Sequence, residues 1–330
     1  MIAADVSVVV AVRDGGEELH ATLDSVLQQE GPCLEVIVVD DGSRDGSIDR
    51  VRARAALDRR IRLVSTGGAG LTAALRAGCG VARAPLVARQ DSGDVSLPGR
   101  FQRQAAAFSR YPNLSLASCF TECHAPRGEF LYRVEGECTA DQERSLFPPA
   151  VERKDHLGPT SHGSAMFRRD LYERVGGYRL EFPLAQDWDL WLRLGEQGTY
   201  LTVGEVLYRR ILSADSISFR SRDLQLAFGE VSTEASQLRR RGVSEEAALS
   251  KARNLAQRWS YQGRSIGAKA RALGHYHFGE ILRRQGDPAA SYYLRTAVRS
   301  APWLLRGWIR LAQQLLARRS QRIGDGSDAA

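Results

Sequence analysis

The chain of 330 residues contains no apolar run approaching the roughly 20 residues a membrane-spanning helix needs. Its opening, MIAADVSVVVAVRD, lacks the basic n-region and cleavage-like site of a signal peptide and reads as a first core strand. Cysteine is sparse, odd in number and scattered (Cys33, Cys79, Cys119, Cys123 and Cys138), which argues for reduced thiols and a cytoplasmic setting. CFTECH, Cys119 to His124, with Cys138 further on, offers the nearest thing to a zinc pattern, but the usual paired spacing is missing. No basic stretch is interleaved with aromatics in the manner of a nucleic-acid motif.

What is present suits a soluble α/β protein. A hydrophobic fraction of 43% fills a real core, and charge at 26% is ordinary. The length accommodates one large domain and a smaller one. The net charge of +7 is uneven: residues 221–330 hold 19 Lys and Arg, almost all Arg, against 9 Asp and Glu. Such a segment suits a solvated surface of Arg-rich helices, an anionic membrane or an acidic partner.

The first 100 residues alternate. VSVVVAV, LEVIVVDDGS, IRLVST and PLVARQD read as buried strands. Between them, GEELHATLDSVLQQEG, DGSIDRVRARAAL and GLTAALRAGCGVA read as helices. Short strand–helix connections imply a mostly parallel, Rossmann-related sheet with helices on both faces. From 101 to 220 the pattern is mixed, with helices at PGRFQRQAAAFSRYP, FRRDLYERVGGY and AQDWDLWLRLGEQG and a strand at LSLASCF. Beyond 221 only helical periodicity remains, which predicts a domain of 1–220 and an all-helical, basic domain of 221–330. The tail from about 321 reads as disordered. One tetratricopeptide-like helix pair, LGHYHFGEILRRQGDPAASYYLRTAVRSAPWLLRGW, is a packing motif, because a stack needs at least three copies.

Ligands of such sheets bind beyond the C-terminal ends of the strands. There the sequence supplies Arg13 and Asp14, then Asp40 and Asp41, then Asp91 and Asp94. Five unpaired carboxylates on one rim would repel and resist desolvation. A hard cation, or ribose hydroxyls and base N–H groups, would relieve that. A competing reading takes Gly68-x-Gly70-x-x-Ala73, with Asp91 about twenty residues on, as a dinucleotide fingerprint and the chain as an NAD-dependent oxidoreductase. That match follows two complete strand–helix units instead of opening the first, and leaves Asp40 and Asp41 unexplained.

Three segments resemble the family 2 glycosyltransferases, in that family's order and spacing: VSVVVAVRDGGEELHATLDSVLQQEGPCLEVIVVDDGSRDGS, RQDSGDVSLPGRFQRQ and GSAMFRRDLYERVGGYRLEFPLAQDWDLWLRL. The resemblance implies a GT-A fold, a nucleotide-sugar donor (UDP-linked by preference), a divalent metal such as Mn²⁺ or Mg²⁺, and inversion at the anomeric carbon. It matches Asp40 and Asp41 to the acids of the family's DDGS element, one of which contacts the base, with Ala11 and Arg13 bordering it; the family often has an aromatic where Arg13 stands. Asp91 matches the first acid of the D-x-D element, on ribose and metal. The third position of that element is Gly93, so Asp94 becomes the candidate second metal ligand. Asp187 matches the general base, although the preceding residue, often an acid, is Gln186. A helix cap is the alternative reading of Asp187.

Lesser expectations follow. His162 would touch phosphate or acceptor, or be a structural histidine. Trp188 would wall the acceptor pocket, while Trp191 and Leu194 belong to the core and Asp189 to a salt bridge. Arg209 and Arg210 lie where the family closes over the diphosphate; a surface strand end is the alternative. WLLRGWIRLAQQLLARR, amphipathic and basic, would pack on neighbouring helices or rest on the inner face of a membrane, which would suit a lipid-linked acceptor. Together these imply a hexosyltransferase acting on a polysaccharide, glycolipid or glycoprotein hydroxyl. Gly93 and Gln186 also allow a carbohydrate-assembly protein with impaired turnover.

Overall fold

A computed structural model describes residues 4–136, 158–214, 221–259 and 268–325. The strands are β1 (Val6–Val12), β2 (Leu34–Asp40), β3 (Ile61–Ser65), β4 (Leu86–Asp91), β5 (Val95–Ser96), β6 (Leu114–His124), β7 (Phe130–Val134), β8 (Met166–Arg168) and β9 (Thr199–Ile211). They form one sheet in the order β3-β2-β1-β4-β8-β6-β9-β5, with β7 paired to β6. The half from β3 to β4 is parallel, and β8 runs antiparallel to β4 and β6.

Helices α1 (Glu18–Leu27), α2 (Ser47–Leu57), α3 (Leu71–Gly80), α4 (Arg100–Arg110), α5 (Arg169–Arg174) and α6 (Gln186–Gly195) are interspersed among the strands. Strand periodicity sorts β1 onto two apolar layers. Val6, Val8, Val10 and Val12 meet Leu19, Leu23, Ile48 and Phe101 on one face. Val9 and Ala11 meet Ala74, Leu75, Leu190 and Leu194 on the other. The sheet is therefore covered on both sides, as the continuous apolar strands predict. Crossovers leave in opposite directions from β1 and β4, so the crevice for a ligand opens at the C-terminal ends of these neighbours. Register sets Ala11 opposite Asp91 and Val12 opposite Asp40.

The C-terminal helices are α7 (Arg222–Arg240), α8 (Glu246–Arg258), α9 (Ala268–Arg284), α10 (Ala290–Ser300) and α11 (Leu305–Asp325). The chain divides into one compact unit of 1–122, 133–210 and 223–261, and another of 123–132, 211–222 and 262–330. This differs from a boundary near 220, because α7 and α8 group with the first unit. Arg239 pairs with Glu196 and Glu245, and Arg179 with Glu245. The tail expected to be disordered from about 321 is helical to Asp325, and 326–330 lie outside the described residues. In the second unit α9 and α10 form the expected helix pair, with Leu294, Val298 and Leu311 at its core.

Candidate active site

Asp91 ends β4, and Asp91–Ser92–Gly93–Asp94 is a tight turn closed by the Asp94 N–H donating to the Asp91 carbonyl at 3.2 Å. Gly93 has φ +92°, the conformation such a turn requires at its third position and one that L side chains rarely adopt. An acid in place of Gly93 would strain the turn.

Asp94 turns inward. It is 4% exposed, and its Oδ2 accepts from the Tyr208 hydroxyl of β9 at 2.8 Å. The same hydroxyl accepts from the Asp91 N–H at 3.2 Å. On α1, the Thr22 hydroxyl donates to the Asp94 carbonyl and accepts from the Gly93 N–H, both at 2.9 Å. Asp94 is thus an anchor of the turn, and the direct metal role expected of it does not fit this placement.

Asp91 faces the crevice, with its side chain 35% exposed. Its Oδ1 accepts from Arg89 at 2.7 Å, while Arg89 also donates to the Val9 carbonyl at 2.8 Å and approaches His162 Nε2 at 3.4 Å. Burial works to raise the Asp91 pKa, but the charges of Arg89, Arg210 and Arg100 outweigh it and hold the carboxyl below its ordinary value. Arg100 braces this region from beneath. Its five N–H donors reach Gln104, Gln90, Ser96 and the carbonyls of Arg89 and Gly163.

Gly163 belongs to the turn His162–Ser164 that precedes β8. A Cβ on Gly163 would lie 1.8 Å from the Tyr208 hydroxyl, so only glycine lets this turn pass. His162 Nε2 lies 2.9 Å from the Tyr178 hydroxyl. Burial depresses the His162 pKa, Arg89 and Arg210 add to the effect, and Asp187 and Asp91 oppose it. The ring is therefore neutral at pH 7. Because Arg89 can only donate, Nε2 is the acceptor and Nδ1 carries the proton.

Asp187 lies in the first turn of α6, with Oδ1 accepting from the Trp188 N–H at 2.9 Å. The residue that precedes the helix, Ala185, is a non-glycine residue with φ +51°, an observed strain beside a candidate base. Asp189 is buried and paired with Arg193 and Arg179, as a salt-bridge residue should be. Trp188 donates from its indole N–H to Thr233 of α7 at 3.3 Å, and Trp191 and Leu194 are core.

The other acids of the rim also have protein partners. Asp40 accepts from the Ser43 N–H at 2.8 Å, and Asp14 from the Arg44 N–H at 2.7 Å. Asp41 is buried and accepts from the Thr66 hydroxyl and the Gly70 N–H, both at 2.9 Å. The repulsion expected of five bare carboxylates is resolved largely inside the protein. Asp41 also occupies the N-terminus of α3, where the dinucleotide alternative would seat a pyrophosphate. Strand alternation separates the two arginines of β9: Arg210 shares the face of Tyr208 and acts on Asp91 and His162, whereas Arg209 turns away to Glu122 at 3.5 Å. The diphosphate role expected of Arg209 does not fit that direction.

Among the described residues no three His, Cys, Asp or Glu side chains gather as a metal centre. A cation carried by a diphosphate needs only one or two protein carboxylates. The crevice-facing Asp91 carboxylate fits as a single ligand. Cys119 and Cys123 are buried, burial pushes the Cys119 thiol up to about 11, and Cys138 lies outside the described residues.

The profile of the family described as "Glycosyl transferase family 2" matches residues 7–176. The chain belongs to this family. It is an inverting glycosyltransferase that takes its sugar from a nucleotide sugar, which removes the oxidoreductase alternative. It is 28% identical over 222 residues to the putative glycosyltransferase EpsE of Bacillus subtilis, covering 66% of this chain and 76% of that one. It is 22% identical to the chondroitin synthase of Pasteurella multocida, of whose length it spans only 22%. The mannosyltransferase PcManGT of Pyrobaculum calidifontis, solved with GDP-Man and Mn²⁺, superposes with TM-score 0.51 at 19% identity, covering 98% of this chain and 88% of that one. TarS 1–349 of S. aureus, solved with UDP-GlcNAc, gives 0.52 at 14%, covering 90% and 89%. These likenesses bear out the GT-A-like fold.

Sequence reasoning missed Arg89, Arg100, Tyr178 and Tyr208. Only Arg89 left a signal, as a charge within the apolar run PLVARQD.

Proposed function

We propose that this family 2 glycosyltransferase moves a hexose from a nucleoside diphosphate sugar, UDP-linked by preference, to a hydroxyl of a polysaccharide, glycolipid or glycoprotein, with Asp187 as general base. The observation that supports this reading is the chain of contacts at the end of β4: Arg89 donates to Asp91 at 2.7 Å and approaches His162 at 3.4 Å, and His162 is near enough to Asp187 to feel its charge.

Ala11 and Arg13 border the base at the end of β1, and Asp40 and Asp41 shape its seat at the end of β2. Asp91 takes the ribose and would hold a divalent cation, whose charge offsets that of the departing diphosphate. Arg210 and the neutral His162 donate to the phosphate oxygens. Trp188 lines the acceptor side. The acceptor oxygen attacks the anomeric carbon from the face opposite the nucleotide, its proton passes to Asp187, and the nucleoside diphosphate leaves with the bonding electrons. A positioned base contributes roughly 10²–10⁴-fold to such a step.

Two solved structures of similar fold hold substrates of this kind: TarS 1–349 with UDP-GlcNAc, and PcManGT with GDP-Man and Mn²⁺. The test is Asp187→Asn, with transfer measured by nucleoside diphosphate release and nucleotide affinity by calorimetry. Transfer is expected to fall at least about 10²-fold while affinity holds. Turnover at the wild-type rate in this variant would remove Asp187 as the base.

A further inference from the structure

Helix α11 carries two apolar faces. Gly307, Leu311 and Gln314 are buried, with Leu311 in the cluster of Leu294 and Val298, and Gln314 donates to the Asp287 carbonyl at 3.2 Å. That face meets the packing expected of the segment. The second face is exposed. Leu305 is 74% exposed and Leu316 is 65% exposed, and Ile309 and Ala312 complete their three- and four-residue spacing. Trp308 lies beside this stripe, and Trp303, 65% exposed, just before it. The Trp308 indole N–H is already satisfied by the Pro302 carbonyl at 2.9 Å, so what it offers outward is ring carbon.

A contiguous apolar stripe exposed on a surface marks an interaction site. Charge identifies the partner. Residues 269–316 hold eight Lys and Arg against two Asp and Glu. One of those acids, Glu280, is already shared by Arg283, Arg284 and Arg310. Arg306, exposed beside the stripe, has no ion-pair partner among the described residues. A second copy docked through a two-fold axis would lay one basic rim against another.

We propose that the exposed apolar face of α11, with Trp303 and Trp308, docks on an anionic lipid bilayer. The helix lies in the interfacial plane, with its leucines and isoleucine among the acyl chains, its indoles at the headgroups and its arginines on lipid phosphates. This rests on the exposed face and its charge, not on the transfer reaction.

The test is co-sedimentation of the full chain with vesicles of phosphatidylcholine alone, or mixed with phosphatidylglycerol. The wild type is expected to pellet with the mixed vesicles and far less with the neutral ones. Leu305→Ser/Ile309→Ser/Leu316→Ser, three changes on exposed positions, should weaken partitioning at least roughly tenfold. Arg306→Glu should reduce the preference for phosphatidylglycerol. Unchanged nucleotide affinity in the triple variant would show that its site is intact. Failure of the wild type to pellet, or equal pelleting of the triple variant, overturns the proposal. So does a solution dimer, measured by light scattering, that the triple variant dissolves, since a second copy would then own the face.

Discussion

Whether Asp94 stands in for the acid absent at Gly93 is decided by two substitutions with opposite expectations. Tyr208→Phe removes one hydroxyl, which donates to Asp94 Oδ2 at 2.8 Å and accepts from the Asp91 N–H at 3.2 Å, at a position with no solvent to replace it. A hydrogen bond to a charged group is worth about 1.5–3 kcal/mol, and an orphaned buried N–H costs about 1–3 kcal/mol. The second bond is long and the two share one oxygen, so they do not simply add. The expected loss is about 3 kcal/mol, a fall in melting temperature of roughly 6–12 °C. Asp94→Asn keeps an amide oxygen for the hydroxyl and should cost only about 1–2 kcal/mol. Its nucleotide affinity, measured by calorimetry with and without Mn²⁺, should stay within roughly twofold of wild type. Loss of the Mn²⁺ effect in Asp94→Asn, together with wild-type melting of Tyr208→Phe, would make Asp94 a metal ligand and refute its role as an anchor.

Other expectations follow from the same geometry. Gly163→Ala drives a methyl into the Tyr208 hydroxyl and should destabilise by about 3 kcal/mol or more, read by urea denaturation. Arg210→Ala should weaken nucleoside diphosphate affinity roughly tenfold, as loss of one charge-assisted hydrogen bond does, whereas Arg209→Ala, whose partner is Glu122, should leave calorimetric affinity nearly unchanged. The depressed His162 pKa means the unfolded chain binds a proton near the ordinary value of about 6.5 that the folded chain refuses. Stability should therefore fall as pH drops through that value toward the lower folded one. His162→Asn should flatten that dependence in denaturation curves. Asp91 contributes in a lower window, present above about pH 3.9 and lost as pH falls through its depressed folded value.

The parallel half of the fold was legible because β1 and β2 are buried on both faces and rich in Val and Ile, and β3 and β4 follow at short strand–helix spacing. Of the antiparallel half only β6, at LSLASCF, was legible. β8 has three residues and β5 two, too short for any period to register, and β9 hides Tyr208 and Arg210 in a segment whose visible feature is a pair of arginines. Alternation then separates that pair, a consequence visible only once the segment is known to be a strand.

The acids of the rim show where residue type stops predicting role. A carboxylate at a strand end looks alike in sequence whether it awaits a cation or accepts from its own backbone. Asp41 and Asp94 are buried with protein donors, while Asp91 faces the crevice against a fully buried Arg89. What separates them lies far along the chain: Tyr208 is supplied by β9, and Gly163 leaves room for its hydroxyl. The D-x-D position of Gly93 is held by the turn's need for positive φ, and the same turn carries Asp94 inward. The missing acid and the buried acid are thus one structural choice, in which the chain gives up a second exposed carboxylate for a rigid seat beneath Asp91.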